Sequence, residues 1–328
     1  MYLITGGAGF IGANVARQLS RQGKNVVICD WLEADNIKWK NLIDVRVERF
    51  VFPEDLFDTL PTLSTRIDGV IHMGAISATT ETDGDLVMRS NFELSRKLWE
   101  WCATENVPYI YASSAATYGG GEQGFIDGND LAATERLRPL NLYGWSKQLF
   151  DIWALRQVEK GAPTPPQWAG LRFFNVYGPR ETHKGSMMSI VCRNYAPCST
   201  GSPVKLFKSH REGVADGEQL RDFVHVDDCV GVIDWLLETP AVSGIFNIGT
   251  GQARSFRDLI GATYSACNQP ENIDYVPMPE ALRDRYQYFT EADLTHLRAA
   301  GYNRPFLSIE EGVKRYVDAY LSRPEHER

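Results

Sequence analysis

The chain has 328 residues, 43% of them hydrophobic, which is enough for one large α/β domain or for two domains that share a cleft. Its formal net charge of −8 and the lack of any basic run argue against nucleic acid as a partner. No stretch approaches the roughly 18 apolar residues of a membrane span, and a first strand that begins at residue 2 leaves no room for a signal peptide. The six cysteines form no Cys-x-x-Cys pair and the six histidines lack metal-ligand spacing, so we expect reduced thiols, no metal and a cytoplasmic protein without a membrane partner.

The first thirty residues predict a βαβ unit with a glycine-rich turn. An apolar strand from Tyr2 leads into glycines 6, 9 and 12, a helix follows over Ala13–Arg21, and a second strand, Asn25–Cys29, ends in Asp30. Glycines in such a turn let the backbone approach a pyrophosphate, which rests on the N–H groups of the helix N-terminus. A carboxylate at Asp30 is placed to meet a ribose hydroxyl, so the order of elements favours a dinucleotide site over an ordinary tight turn.

Strand-like and helical runs then alternate through the first half of the chain, which predicts a doubly wound parallel sheet of Rossmann type. The predicted strands are Val45–Phe52, Gly69–His72, Pro108–Ala112 and Gly170–Phe174, and the predicted helices are Asp85–Glu105 and Tyr143–Glu159.

Beyond Asn175 the pattern becomes irregular and indicates a smaller C-terminal lobe. We expect a nucleotide-binding domain over 1–174, to which a stretch of about 213–250 returns, and a substrate-binding lobe made mainly of 175–328. The polar, glycine-containing run Lys208–Leu220 is predicted to be a mobile surface segment.

A tyrosine and a lysine four residues apart are the first candidate catalytic pair. Tyr143 and Lys147 would share one face of the predicted helix, where the ammonium can lower the phenol pKa from its usual value near 10. About thirty residues upstream, the predicted strand ends in Ser113-Ser114. Such a spacing alone is weak evidence, but together with the glycine turn it indicates hydride-transfer chemistry.

The Thr-Gly-Gly-x-Gly-Phe-Ile-Gly turn, the Tyr-x-x-x-Lys pair and the upstream serine together resemble the extended short-chain dehydrogenase/reductase superfamily. This resemblance implies that Tyr143 moves a carbinol proton, that Ser114 orients the same oxygen and that Lys147 holds the nicotinamide ribose. Dehydratases of the superfamily carry Thr-Asp-Glu where this chain has Ser114-Ala115-Ala116, so epimerisation is favoured over dehydration.

Four separated segments, in the right order, resemble the ADP-L-glycero-D-manno-heptose 6-epimerase family more specifically. They are Ser77–Glu81, Tyr111–Gly120, Phe174–Met187 and Ala292–Tyr302. The resemblance implies inversion at C6 of an ADP-heptose through a transient ketone, in the supply of heptose for lipopolysaccharide core. It also implies a homo-oligomer, since relatives commonly form pentamers.

The same resemblance implies a nicotinamide cofactor. Asp30 would favour NAD because a carboxylate repels a 2′-phosphate, whereas Lys38 matches a lysine by which the family tends to use NADP. The chain departs from the family at Trp31, where an asparagine is usual, and at Pro53, where a second lysine is usual. We expect NADP, with NAD kept open. The implied cofactor contacts are Gly6, Gly9, Phe10, Ile11, Gly12, Asp30, Trp31, Lys38, Met73, Gly74, Ala75, Ile76, Ser77, Asn91, Tyr143, Lys147, Val176 and Lys184.

A second acid/base is expected because one group cannot easily serve both faces of a carbon. The resemblance assigns Lys184 to this role, with a pKa lowered by partial burial or by cations such as Arg180 and His183. The alternative is that Lys184 binds phosphate at the surface.

The implied substrate contacts include a guanidinium suited to a diphosphate, Arg221. Arg193 stands where the family usually has a histidine, and the loop Arg211–Gln219 is longer than usual. The full set is Ser114, Asn175, Ser186, Arg193, Phe207, Lys208, Ser209, His210, Arg221 and Tyr286.

Two other functions stay open. A UDP-hexose 4-epimerase of the same superfamily would share Ser114, Tyr143 and Lys147 but has no need of His183-Lys184-Gly185. A non-catalytic nucleotide sensor is disfavoured because such proteins usually lose the tyrosine and the lysine.

Overall fold

The structure is a computed structural model that describes residues 1–32, 37–63, 67–283 and 286–324. The strands are β1 (Tyr2–Thr5), β2 (Val26–Cys29), β3 (Val47–Val51), β4 (Gly69–His72), β5 (Tyr109–Ser114), β6 (Trp168–Phe173), β7 (Asn175–Tyr177), β8 (Val204–Phe207), β9 (Leu220–His225), β10 (Gly244–Ile248), β11 (Ala253–Ser255) and β12 (Ile273–Val276). The helices are α1 (Phe10–Arg21), α2 (Leu56–Leu63), α3 (Gly84–Val87), α4 (Leu94–Glu105), α5 (Leu131–Arg136), α6 (Leu142–Glu159), α7 (Ile190–Ser199), α8 (Val226–Glu238), α9 (Phe256–Ala266), α10 (Glu280–Arg283), α11 (Thr295–Ala299) and α12 (Ile309–Tyr316). Short 3-10 helices cover Lys38–Leu42, Pro53–Asp55, Ala115–Tyr118 and Thr182–Met187, and π-helical turns cover Met88–Glu93 and Val317–Leu321.

Within the described ranges, seven parallel strands form the main sheet in the order β10-β6-β5-β4-β1-β2-β3. The chain moves outward from β1 to β3 and then returns to place β4 on the other side of β1. The sheet order therefore reverses between β1 and β4, whose last residues, Thr5 and His72, are paired. In open α/β sheets, ligands bind at the carboxyl ends of the strands beside such a switch point.

Helices cover both faces of this sheet. On one face α1 and α8 bury apolar side chains such as Val15, Leu19 and Ile233 against β1 and β2. On the other face α2, α4 and α6 bury a cluster that includes Trp99 and Phe150. The inner strands β1, β2 and β4 are mostly apolar and buried, as is usual for parallel strands covered on both faces, whereas the edge strand β3 carries the exposed Glu48 and Arg49. The prediction of a doubly wound α/β fold is confirmed.

A second group of elements follows β6. A three-stranded sheet runs in the order β11-β9-β7 and a two-stranded sheet pairs β12 with β8. Helices α7, α9 and α12 bury Val191, Leu259 and Val313 beside them. Within the stretch 213–250, α8 packs on the main sheet and β10 extends it, whereas β9 lies in the three-stranded sheet.

Two of the predicted helices differ from those in the structure. Helix α1 begins at Phe10 rather than Ala13, because Gly9 is the extended N-cap residue and Phe10 is already buried in the first turn. The helical run over 84–105 is widened by the π-helical turn, which contains the buried Asn91. The segment 208–219 contains turns closed by its own hydrogen bonds, such as that from the Ser209 N–H to Asp216 at 2.8 Å. No helix in the described part of the chain is long and apolar enough to cross a membrane.

Candidate active site

The glycine turn lies at the switch point and brings backbone from three elements into close contact. Gly6 has a φ of +61°, and a Cβ added there would lie 2.6 Å from the Cα of Gly74, directly after β4. A Cβ added at Gly12 would lie 2.2 Å from the Gly6 carbonyl oxygen, so α1 approaches the turn as closely as it does only because residue 12 is glycine. Among the described residues no side chain caps the N-terminus of α1, so its first N–H groups suit an anion such as a pyrophosphate.

Asp30 lies beside this turn with both carboxylate oxygens engaged. Oδ2 accepts a 2.9 Å hydrogen bond from the Ala8 N–H, and Oδ1 accepts from the Trp31 N–H at 2.8 Å and from Lys38 Nζ at 2.6 Å. Trp31, whose side chain is 40% exposed, donates from Nε1 to Glu54 at 2.9 Å. The structure therefore brings the predicted ribose-binding acid and the predicted phosphate-binding lysine together as an ion pair.

The predicted cofactor segment after β4, residues 73–77, is held by Asn91. The Asn91 side chain accepts from the Ile76 N–H at 2.8 Å and donates to the Ile76 carbonyl at 3.0 Å and to Ser146 Oγ at 3.0 Å. Its amide is thus committed to protein groups, and its contribution to any cofactor site is to fix this segment against α6.

Ser114 and Tyr143 meet where β5 ends and α6 begins. Asn141 caps α6 by accepting from the Gly144 N–H at 2.8 Å. A Cβ added at Gly144 would lie 2.6 Å from the Ala116 carbonyl oxygen, so this glycine lets the helix approach the turn that follows Ser114. The Ser114 hydroxyl lies close enough to the Tyr143 phenol to favour its ionised form. The first turn of α6 therefore carries the phenol and the end of β5 carries the hydroxyl that the sequence predicts to act with it.

The charge environment of Tyr143 differs from the expectation. Burial raises the pKa of Tyr143 above its ordinary value near 10, and the Ser114 hydroxyl is the contact that works to lower it. Lys147 donates from Nζ to the Ala112 carbonyl at 2.7 Å, and its own pKa is lowered to about 8 by burial. The prediction that Lys147 lowers the pKa of Tyr143 below its ordinary value is wrong for this structure, because burial raises the pKa of the phenol by more than Ser114 lowers it.

Lys184 lies at the N-terminus of α1, with Nζ 5.1 Å from the centre of the Phe10 ring. Burial lowers its pKa, and the neighbouring Glu181 carboxylate works against this shift. The expected lowering is confirmed, and of the two causes that the sequence leaves open, burial or nearby cations, it is burial that acts. A lowered pKa increases the share of the neutral amine, which is the form that can accept a proton.

The segment that carries Lys184 is fastened to the cofactor-binding half by side-chain amides and a guanidinium. Asn14 Nδ2 donates to the Pro179 carbonyl at 2.9 Å, and Asn41 Nδ2 donates to the Arg180 carbonyl at 3.2 Å. Arg180, with a φ of +74°, forms a two-pronged ion pair with Asp44 at 2.6 and 2.8 Å. These contacts join segments that are more than 130 residues apart in sequence.

Several of the predicted substrate residues lie close together in the second group of elements, around residues 286–288. The Arg221 guanidinium lies 5.3 Å from the centre of the Tyr286 ring and donates to the Gln287 carbonyl. The backbone of His210 donates to the Tyr288 hydroxyl at 3.2 Å, which joins the stretch Phe207–His210 to the same chain segment. Gln287 also donates to the carbonyl of Gly119, in the turn after Ser114. This group is therefore connected to the turn that follows Ser114 at the end of β5.

The other predicted substrate residues are placed on exposed surfaces. Asn175 begins β7, Ser186 lies in the Thr182–Met187 turn, and Arg193 lies on α7. Val176, the predicted cofactor contact that follows Asn175, is half-buried.

The side chains that support the site are not among the residues that the sequence predicts. Asp151 and Arg172 form a buried ion pair with an N–O distance of 3.0 Å beneath the end of β5. Asn41 donates to the Ala8 carbonyl at 2.9 Å and also contacts His183. One signal was available for Asp151, since it follows Lys147 by four residues and so shares its helix face.

Comparisons with known proteins agree with the geometry. Residues 2–249 match the "NAD dependent epimerase/dehydratase family". The chain is 47% identical to an ADP-L-glycero-D-manno-heptose-6-epimerase of Fusobacterium nucleatum and 46% identical to one of Nitratidesulfovibrio vulgaris, in each case with 98% of both chains covered.

Solved structures show the same architecture. An ADP-L-glycero-D-manno-heptose-6-epimerase of Helicobacter pylori superposes with a TM-score of 0.79 at 28% identity, covering 98% of this chain and 96% of its own. A UDP-glucose 4-epimerase of Thermus thermophilus in complex with NAD gives a TM-score of 0.75 at 26% identity, with 98% and 99% covered.

Proposed function

Because the chain belongs to the NAD dependent epimerase/dehydratase family, we propose that it is an isomerase that inverts C6 of ADP-D-glycero-D-manno-heptose to give ADP-L-glycero-D-manno-heptose. The observation that carries this proposal is the full-length similarity, at 45–47% identity, to enzymes that bear this name. Such a product would supply heptose for lipopolysaccharide core.

The residues at the switch point fit a dinucleotide cofactor. The close approach of Gly6 and Gly12, the uncapped N-terminus of α1 and the carboxylate of Asp30 provide a turn, an anion site and a ribose acceptor. When bound, the nicotinamide supplies the acceptor and then the donor of a hydride at C6 of the sugar. We propose that Lys147 and the segment 73–77 hold its ribose and that Lys184 lies beside it.

Two acid/base groups would serve the two faces of C6. Burial raises the pKa of Tyr143 and lowers that of Lys184, so both shifts favour the neutral forms: a phenol that can donate a proton and an amine that can accept one. We propose that Lys184 takes the proton of the C6 hydroxyl as the sugar ketone forms. After the ketone has turned, Tyr143 gives its proton to the ketone oxygen as C6 is reduced to the inverted carbinol, and Ser114 orients that oxygen. Proton exchange with solvent then restores the neutral amine of Lys184 and the phenol of Tyr143. In the reverse reaction the two roles exchange.

Substrate recognition is assigned to the second group of elements. We propose that Arg221 and Tyr286 contact the diphosphate and that Phe207–His210 contact the nucleotide, because these residues share one connected region. Asn175, Ser186 and Arg193 would contact the sugar-nucleotide from the exposed side of the cleft.

For the cofactor we propose NADP. Lys38 already neutralises Asp30 at 2.6 Å, which removes the repulsion that a carboxylate would exert on a 2′-phosphate. NAD is the competing possibility, since Trp31 and Glu54 lie beside the same ribose site and Glu54 adds a negative charge.

We also propose that the chain forms a homo-oligomer. The edge strand β3 is flanked in sequence by two exposed large apolar side chains, Ile43 and Phe52, and Trp39 is 52% exposed nearby in sequence. Exposed apolar side chains of this size suit a subunit contact. Light scattering on the purified protein measures the mass directly.

The function is tested by offering the purified protein two substrates in parallel, ADP-D-glycero-D-manno-heptose and UDP-galactose, and following each by proton NMR. We expect turnover of the heptose nucleotide and none of the hexose nucleotide. Turnover of UDP-galactose alone would instead establish the hexose 4-epimerase, whose solved relatives share this fold. A Lys184→Met variant separates the mechanisms, because only the two-base scheme requires the amine; full inversion by this variant would contradict that scheme.

A further inference from the structure

Asp151 is the centre of a buried polar group beside the end of β5. Its side chain is 0% exposed and lies on α6, four residues after Lys147 and eight after Tyr143, on the same helix face. The carboxylate accepts hydrogen bonds from the Tyr111 hydroxyl at 3.0 Å and the Ser113 hydroxyl at 2.8 Å, and Arg172 Nε at 3.0 Å completes the group.

The hydrogen bonds of Asp151 and Lys147 reach three consecutive residues at the end of β5. Asp151 binds the side chains of Tyr111 and Ser113, and Lys147 donates to the carbonyl of Ala112 between them. The next residue is Ser114, whose hydroxyl lies beside the phenol of Tyr143 at the start of the same helix. Two adjacent turns of α6 therefore fix the position of the strand end from which the Ser114 hydroxyl extends.

Arg172 provides the charge that allows a carboxylate to be buried here. It is paired directly with Ser113 in the register of β5 and β6, and its Nη1 donates to the Tyr118 hydroxyl at 3.1 Å. Tyr118 in turn donates to Asn247 on β10 at 2.7 Å. A buried ion pair gains little net stability over apolar side chains of the same size, because removing two charges from water is costly. Its presence beneath the site therefore suggests a role in placement.

We propose that Asp151 is a positioning residue of the site: through Ser113 it holds the end of β5 against α6 at the spacing that lets the Ser114 hydroxyl meet the Tyr143 phenol. The proposal rests on the proposed epimerase function for its kinetic consequence but not for its geometry. Asp151 also acts on the charge of Lys147, because it is the group that raises the pKa of that amine against burial. The other titratable group that faces Lys147 is the buried His72 of β4, whose own pKa is lowered to about 3, so it stays neutral.

Two hydroxyl deletions give a matched test, since each removes one hydrogen bond to the same carboxylate. Ser113→Ala releases the residue next to Ser114. Tyr111→Phe keeps the ring, which is held by Phe150 at a centroid distance of 4.8 Å, and so leaves the strand in place. We expect Ser113→Ala to lower kcat about 10-fold, as small displacements of catalytic groups do, with KM unchanged within about twofold. Tyr111→Phe should lose about as much free energy of unfolding as Ser113→Ala but keep kcat within about twofold of the wild-type value.

A measurement that needs no turnover keeps the proposal independent of the proposed function. The ¹³Cζ NMR shift of Tyr143, assigned with Tyr143→Phe, reports the contact of the phenol with Ser114. It should change in Ser113→Ala and stay constant in Tyr111→Phe. If the wild type does not epimerise the heptose nucleotide, the proposed function is refuted. The NMR comparison of the two variants still tests the positioning role of Asp151. An unchanged Tyr143 resonance in Ser113→Ala, or an unchanged kcat in an active enzyme, would overturn it. Asp151→Asn is expected to lose much stability because Arg172 then keeps an uncompensated charge, so Ser113→Ala is the decisive variant.

Discussion

Replacing Asn41 with alanine should separate the stability of the fold from the placement of Lys184. Asn41 is 4% exposed, and its Nδ2 lies within hydrogen-bonding distance of the Ala8 carbonyl at 2.9 Å, the Arg180 carbonyl at 3.2 Å and His183 Nδ1 at 3.1 Å. One side chain thus joins the glycine turn to the residue that directly precedes Lys184.

The magnitude follows from the bonds that are lost. An amide nitrogen has two hydrogens, so two of the three contacts are full hydrogen bonds at a time, each worth about 1 kcal/mol net, and a buried acceptor left unpaired costs about 1–3 kcal/mol. We expect Asn41→Ala to lower the free energy of unfolding by about 2–4 kcal/mol. Because His183 and Lys184 are then held less firmly over the glycine turn, kcat should fall by about 10-fold or more.

Asn14→Ala is the matched control. Asn14 Nδ2 donates to the Phe10 and Pro179 carbonyls, both at 2.9 Å, so it also joins α1 to this segment, but at a position five residues before Lys184. Its loss of stability should be somewhat smaller, because alanine is favoured over asparagine inside a helix by about 0.5 kcal/mol. Urea unfolding gives both stabilities and an NMR assay of heptose inversion gives both kcat values. Equal kcat for the two variants would refute a special link between Asn41 and Lys184.

Three further variants test the cofactor site and the buried histidine. Gly12→Ala should abolish retention of the nicotinamide, because the new Cβ would lie 2.2 Å from the Gly6 carbonyl oxygen; an unaltered dissociation constant would contradict the close approach. Lys38→Met leaves Asp30 without its 2.6 Å partner and should weaken NADP binding more than NAD binding in a fluorescence titration, whereas equal weakening would favour NAD as the natural cofactor. His72 has a pKa lowered to about 3, so the unfolded chain binds its proton first as pH falls. The stabilisation that neutral His72 gives to the folded state is complete above about pH 6.5 and is lost as the pH falls toward 3. The free energy of unfolding of the His72→Gln variant should therefore change less steeply with pH than that of the wild type, by up to about 1.4 kcal/mol per pH unit. Parallel slopes for the variant and the wild type would rule this out.

The parts of the molecule that the sequence predicts correctly are those in which local pattern fixes the result. The glycines at 6 and 12, the strand before them and the acid at Asp30 lie within one βαβ unit, and the structure brings them together as expected. The approach of Ser114 to Tyr143 also follows from order along the chain, because neighbouring elements of a doubly wound sheet lie side by side.

What could not be predicted depends on burial and on contacts between distant segments. The raised pKa of Tyr143 arises from loss of water, which the spacing of a tyrosine and a lysine does not report. For Lys184 the sequence predicts a lowered pKa but leaves its cause open between burial and nearby cations, and the coordinates identify burial. The supports from Asn41 and Asp151 connect residues that are 21 to 142 positions apart. Only coordinates reveal such pairs.

The most direct test of the central claim is proton NMR of ADP-D-glycero-D-manno-heptose incubated in D₂O with the purified protein and no added cofactor. Oxidation and re-reduction at C6 by a retained nicotinamide predicts conversion to the L-glycero epimer with protium kept at C6, because the hydride that leaves the carbon returns to it. Absence of conversion would contradict the assigned reaction, and inversion with deuterium entering at C6 would contradict hydride return.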